Sequence, residues 1–117
     1  MAGEPQSDCV FCKIVAGEIP ATVVRRTADT VAFRDIHPQA PTHVLVIPAV
    51  HYPDAAALAA AEPAVAAELL TEAGEVAAVD GLADYRLIFN TGAGAGQTVF
   101  HAHVHVLGGE PLREGLV

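Results

Sequence analysis

The first apolar pattern in the chain has a helical period. Val10, Phe11, Ile14 and Val15 share one face of a short helix predicted between Cys9 and Gly17, and the glycine suits a left-handed cap. The pattern then changes to that of strands. Residues 22–26 and 30–34 are β-rich and separated by Thr27-Ala28-Asp29, a turn-length gap, which predicts an antiparallel hairpin. His43-Val44-Leu45-Val46-Ile47 is rich in branched apolar side chains and bounded by Pro41 and Pro48, so it reads as a central or well covered strand. Asp54 caps a brief alanine-rich helical turn. Pro63 restarts the helix, and Ala66, Leu69, Leu70, Ala73, Val76 and Ala77 keep an i, i+3, i+4, i+7 spacing until Gly81 ends it. Residues 85–90 form another short apolar strand, a glycine-rich loop runs from Thr91 to Gln97, and the last strand starts near Val99.

This order predicts an α+β fold: a five-stranded antiparallel sheet with a short N-terminal helix and one long helix. At 117 residues the chain has room for one core, so it is expected to be a single domain, 1–117, with its core over 9–109 and tails at 1–8 and 110–117. Hydrophobic residues make up 52% and charged residues 17%, which excludes a mainly disordered chain. Asp and Glu outnumber Lys and Arg by 14 to 6, a net charge of −8, and the six cations form no block. Long nucleic acid and an anionic membrane surface are therefore excluded as partners. Prolines and charges interrupt every apolar tract short of bilayer length, and no cationic-then-apolar leader opens the chain, so a cytoplasmic location is expected.

The chemistry concentrates in Phe100-His101-Ala102-His103-Val104-His105-Val106-Leu107. A strand period of two sends the three imidazoles to one face and Ala102, Val104 and Val106 to the other. Same-face side chains stand roughly 6–7 Å apart, close enough for one phosphate or metal-bound group to touch two of them. Imidazole near neutral pH is a nucleophile, a base or a ligand. A solvated strand face or an adventitious metal tract is the plainer reading of such a row. The preceding glycines are compatible with a simple turn, or with backbone donors that hold an anion. A lone histidine such as His37 receives no role. The only two cysteines, Cys9 and Cys12, would close too small a loop for a useful disulfide, so metal ligation or redox chemistry suits them better, with packed reduced thiols as the plain alternative.

These residues resemble the histidine-triad superfamily, whose signature alternates three histidines with apolar residues. The resemblance extends through Phe33-Arg34-Asp35-Ile36-His37-Pro38-Gln39-Ala40-Pro41-Thr42-His43-Val44-Leu45-Val46-Ile47-Pro48 and Asn90-Thr91-Gly92, and so covers most of the chain from Cys9 to Gly109. The ending Val106-Leu107-Gly108-Gly109 is most similar to the Hint branch, purine nucleoside phosphoramidases that usually form homodimers. The resemblance implies that His103 attacks the α-phosphorus of a purine nucleoside phosphoramidate and is transiently nucleotidylated, that His105 touches the phosphate oxygens, and that His101 and His43 complete the catalytic set. It implies phosphate and leaving-group contacts from Asn90, Gly96, Gln97 and Thr98, ribose binding by Asp35, and a base-binding wall of Val10, Phe11, Ile14, Phe33 and Ile36. Taken alone, Asp35 would be a turn residue, Thr98 and Asn90 strand caps, and the apolar wall plain core.

Many bacterial relatives bind zinc through a Cys-x-x-Cys in the first helix together with two histidines, at positions that are Cys9, Cys12, His51 and His101 here. Two thiolates and two neutral imidazoles make a closed structural site. No organic cofactor is implied. Arg34 stands where eukaryotic relatives often have histidine, and the residues after Gly109 lack the tryptophan of their tails, which leaves base and leaving-group preference open. Two other functions share the triad or its parts: a dinucleoside polyphosphate hydrolase, which needs room for a second nucleotide, and a nucleotide- or zinc-binding interaction module without turnover.

Overall fold

The computed structural model describes residues 3–114, so the extreme ends of both expected tails, 1–2 and 115–117, lie outside it. The elements are α1 (Val10–Val15), β1 (Val23–Arg26), β2 (Thr30–Arg34), β3 (Thr42–Pro48), α2 (Ala55–Ala61), α3 (Pro63–Val79), β4 (Tyr85–Ile88) and β5 (Val104–Gly108). The strands form one antiparallel sheet in the order β1-β2-β3-β5-β4. This is the expected α+β architecture, with the alanine-rich turn grown into a seven-residue helix capped by the Asp54 carboxylate.

β3 is buried along its whole length because both faces of the sheet are covered there. On one face Val44, Val46, Ala102, Val104 and Val106 pack against Leu58, Leu69, Ala73 and Val76 of α2 and α3. On the other, Leu45 and Ile47 join Val31 and Phe33 of β2 and Phe11 and Ile14 of α1. Alternation along β2, β3 and β5 thus divides the core into two layers, as the two-residue period requires. The histidines belong to the α1 side.

Two boundaries and one helix face differ from the sequence reading. The last strand begins at Val104, not near Val99, although the faces of its histidines are as expected. Continuing the β3–β5 register would set Ala102 opposite Pro48. Instead the Ala102 N–H donates to the Tyr52 carbonyl and the Pro48 carbonyl is taken by the His101 ring, so the ladder stops. β4 ends at Ile88 instead of Asn90. On α3 the expected apolar face includes Leu70, which is 51% exposed, while Glu72 is buried and held by the Arg25 guanidinium at 2.8 Å. Residues 3–8 are also engaged: Gly3 and His51 exchange backbone hydrogen bonds of 2.8 and 3.2 Å.

The terminal diglycine has a steric reason. At Gly109 φ is +95°, and an added Cβ would lie 2.9 Å from the Pro41 Cβ. Gly109→Ala is expected to cost about 1–3 kcal/mol of stability in urea denaturation, because the side chain meets both an unfavourable backbone region and a rigid neighbour.

Candidate functional site

Three backbone groups and one ring-to-ring contact fix the protonation pattern of the histidines. The Gln39 N–H donates to His43 Nδ1 at 3.0 Å, which leaves the His43 proton on Nε2. That Nε2–H faces His105 Nδ1 at 2.9 Å, so the neutral His105 carries its own proton on Nε2. The His101 carbonyl lies 2.8 Å from His103 Nδ1 and can only accept, which puts the His103 proton on Nδ1 and leaves Nε2 with a free lone pair. By the same logic the Pro48 carbonyl, 2.8 Å from His101 Nε2, leaves the lone pair of His101 on Nδ1. His103 thereby offers a free lone pair and its neighbour His105 a free N–H. His103 and His105 stand side by side with ring centroids 5.0 Å apart.

Burial reinforces neutrality. It lowers His43, His103 and His105 from the ordinary imidazole value, His105 to about 4 with help from the neighbouring His103 and His43 rings. The Asp35 carboxylate opposes this shift at all three, most directly at His43, whose Nε2 is 3.5 Å from Asp35 Oδ2. The other Asp35 oxygen accepts from the His37 N–H at 2.8 Å.

His103 and His105 line a cavity of about 360 Å³, within the usual range for a small-molecule site. Its walls are apolar: Val10, Phe11, Ile14, Phe33 and Ile36 are all present, with Asp35 and Thr98 among the polar groups. Phe11 meets the His103 ring edge to face, centroids 5.2 Å apart, so α1 props that ring as well as lining the cavity. Ile36 is 86% exposed, an apolar side chain left at the rim. Ile19, Pro20, Ala21, Leu45 and Val99 also line the cavity, as does His37. Only Leu45, two residues from His43 on one strand, carried a sequence signal for this position.

The glycine loop divides the expected phosphate contacts. Thr98 reaches the cavity, whereas Asn90, Gly96 and Gln97 are absent from its lining. Gln97 is buried and committed elsewhere: it accepts from the Gly92 N–H and donates to the Pro53 and Val99 carbonyls. It holds the loop in shape, with Gly92 and Gly96 at φ +90° and +96°.

Behind the cavity lies a second cluster. Cys9, Cys12, His51 and His101 bring one ligand atom each to within 4.8 Å of one another. His51 Nδ1 and His101 Nδ1 are 3.2 Å apart, the Cys12 sulfur is 3.3 and 3.5 Å from those two nitrogens, and the Cys9 sulfur is 3.5 Å from His101 Nδ1. A tetrahedral ion bound at about 2.0–2.1 Å to nitrogen and 2.3 Å to sulfur requires edges of about 3.3–3.8 Å, so the four atoms fit a metal. The donor chemistry agrees. The His101 lone pair is aimed into the cluster, burial holds that ring neutral with its value lowered to about 4, and the Gln6 and Cys12 N–H groups donate to the Cys12 and Cys9 sulfurs. His51 is likewise lowered by burial, and Cys12 is raised by it, a shift that a bound cation would reverse.

A sequence profile of the HIT domain matches residues 16–112. The chain belongs to the HIT-domain family. It is 42% identical over 107 residues to the purine nucleoside phosphoramidase of Escherichia coli K12, covering 90% of each chain. It is 46% identical over 110 residues to a 14 kDa zinc-binding protein of Zea mays, covering 91% of this chain and 85% of the other. A HIT family hydrolase of Clostridium thermocellum superposes with a TM-score of 0.91 at 38% identity, covering 96% of this chain and 99% of that one. Among the described residues of this HIT protein, no helix is long and apolar enough to cross a membrane.

The hydrogen-bond pattern makes a spectroscopic prediction. At pH 7, ¹⁵N shifts will report Nε2–H for His43 and His105 and Nδ1–H for His103, and His105 will stay neutral until the pH approaches 4. Its folded value, about 4, lies below the ordinary 6.5, so the stability gained by burying the neutral ring is complete above pH 6.5 and is lost as pH falls through that window toward 4. Denaturation midpoints across this range will show the decline.

Proposed function

We propose that this HIT protein is a purine nucleoside phosphoramidase working through a nucleotidyl-His103 intermediate. The observation that carries the reading is the His103 ring, its Nδ1 proton tied to the His101 carbonyl and its Nε2 lone pair free at an apolar-walled cavity that Asp35 and Thr98 also line. In-line attack by Nε2 on the α-phosphorus forms the N–P bond, and the amine leaves with the P–N electron pair and a proton from water. Water then attacks phosphorus, the N–P bond breaks, and the nucleoside monophosphate is released. Covalent catalysis of this kind replaces one difficult substitution by two easier ones. His105 donates Nε2–H to the phosphoryl oxygens, and His43 holds His105 in the donor tautomer. The Thr98 hydroxyl adds a second donor, Asp35 accepts from the ribose hydroxyls, and the base lies against Val10, Phe11, Ile14, Phe33 and Ile36.

Zinc is our reading of the metal, held by Cys9, Cys12, His51 and His101. When bound it supplies a cross-link and no open coordination position for substrate. The chain's part is to bring the ligands together: α1 presents both sulfurs, the segment after β3 presents His51, and His101 bridges from the metal group to the nucleophile. A homodimer in the cytoplasm completes the proposal.

Adenosine 5′-phosphoramidate and AMP-lysine are expected to turn over faster than diadenosine polyphosphates, and His103→Ala is expected to lose about 10³-fold or more in kcat/KM. Equal turnover by the variant would reject the intermediate, and preference for the dinucleotides would favour the hydrolase alternative. Metal analysis after long dialysis is expected to find about one zinc per chain; less than about a tenth of an equivalent would reject a tight structural site. Cys12→Ser is expected to lose the metal and lower the melting temperature.

A further inference from the structure

One carboxylate far from the histidine row stands at both stems of the loop that carries Asp35. Asp80 follows the last turn of α3, and its side chain accepts from Arg34 through both guanidinium nitrogens at 2.9 Å and from the Thr42 hydroxyl at 2.7 Å. Arg34 ends β2 and precedes Asp35; Thr42 begins β3 and precedes His43. The loop between the stems folds back on that histidine. The Asp35 N–H donates to the His43 carbonyl at 2.9 Å and the Gln39 N–H to the His43 ring.

A carboxylate at a helix C-terminus is unfavourably placed against the helix dipole, and no basic residue occupies the last turn of α3. The position therefore serves something other than the helix. Its bidentate geometry is the directional form of an ion pair, and Arg34 and Thr42 hold the carboxyl at about 2, so it is charged at any pH at which the protein works.

We propose that Asp80 is a positioning residue of the nucleotide site: by holding Arg34 and Thr42 together, it sets the spacing of Asp35 from His43 and thereby the preference for a ribose bearing its 2′-hydroxyl. The proposal rests on the nucleotide reading above. Asp80 touches no substrate; it acts through the two strand ends. The contrasting case is Glu72 on the same helix, which pairs with Arg25 and reaches neither stem.

Calorimetric Kd values for AMP and 2′-deoxy-AMP test it on the metal-loaded, full-length protein. Wild type is expected to favour AMP by about tenfold or more, the worth of one charge-assisted hydrogen bond. Asp80→Ala is expected to reduce that ratio about fivefold, Asp80→Asn less because it still accepts from Thr42, and Glu72→Ala to lower the melting temperature with the ratio unchanged. A folded Asp80→Ala protein whose ratio stays within about twofold of wild type overturns the proposal, as does a ratio that falls equally in Glu72→Ala. If Asp80→Ala does not fold, Thr42→Val removes one arm of the clamp and decides the matter in the same way: a lowered ratio supports the proposal and an unchanged one overturns it. A wild-type protein that binds neither nucleotide overturns the nucleotide reading itself; one that discriminates while its variants discriminate equally overturns the clamp alone.

Discussion

The site depends on how one buried residue spends its hydrogen-bonding groups. The His101 ring gives its proton to the Pro48 carbonyl, its lone pair faces Cys9, Cys12 and His51, and its own carbonyl accepts from His103. A fully buried imidazole with an unmet nitrogen would carry a substantial penalty. The fold meets that demand twice over, and in doing so connects the Cys/His cluster to the His103 ring at the head of the cavity. The cluster and the cavity both use the point where the β3–β5 ladder ends.

Electrostatics at the cavity are local. The chain is strongly acidic, yet the groups around the His103 and His105 rings are chiefly apolar walls, imidazoles and a hydroxyl, with Asp35 the one carboxylate among the described residues of the lining and the Arg34 charge tied to Asp80. Donors fixed before a ligand arrives need no reorganisation, and in a partly desolvated hollow they count for more than distant surface charges. Main-chain groups do most of the fixing. Gln39, His101 and Pro48 each assign one ring's proton, and main-chain atoms at strand ends and stems have little freedom to do otherwise.

Much of this was legible in the sequence. The two-residue period separated Ala102, Val104 and Val106 from the three histidines correctly, even where regular pairing is absent, because side-chain alternation survives in an extended segment without a partner. The two cysteines announced a ligand pair by their spacing, but the cluster with His51 and His101 needed the family resemblance and then the fold, since those residues are distant in the chain. Gln97 was the instructive case. Only the family resemblance implied a ligand contact for it, and nothing in one sequence tells a carboxamide facing a cavity from one that braces the loop. Glu72 and Asp80 gave no signal at all. Each looks like an ordinary acidic residue on a surface helix until the sheet delivers an arginine to it.

The six-residue helix α1 is shared property. Its Phe11 and Ile14 close one side of the cavity, its Cys12 and the Cys9 that caps it are half of the Cys/His cluster that could hold a metal, and its Phe11 also rests against His103. A helix this short does not hold itself together in water; it persists only while docked. Any local opening that lifts it from the sheet therefore disturbs the Cys/His cluster, the cavity wall and the support of the His103 ring together.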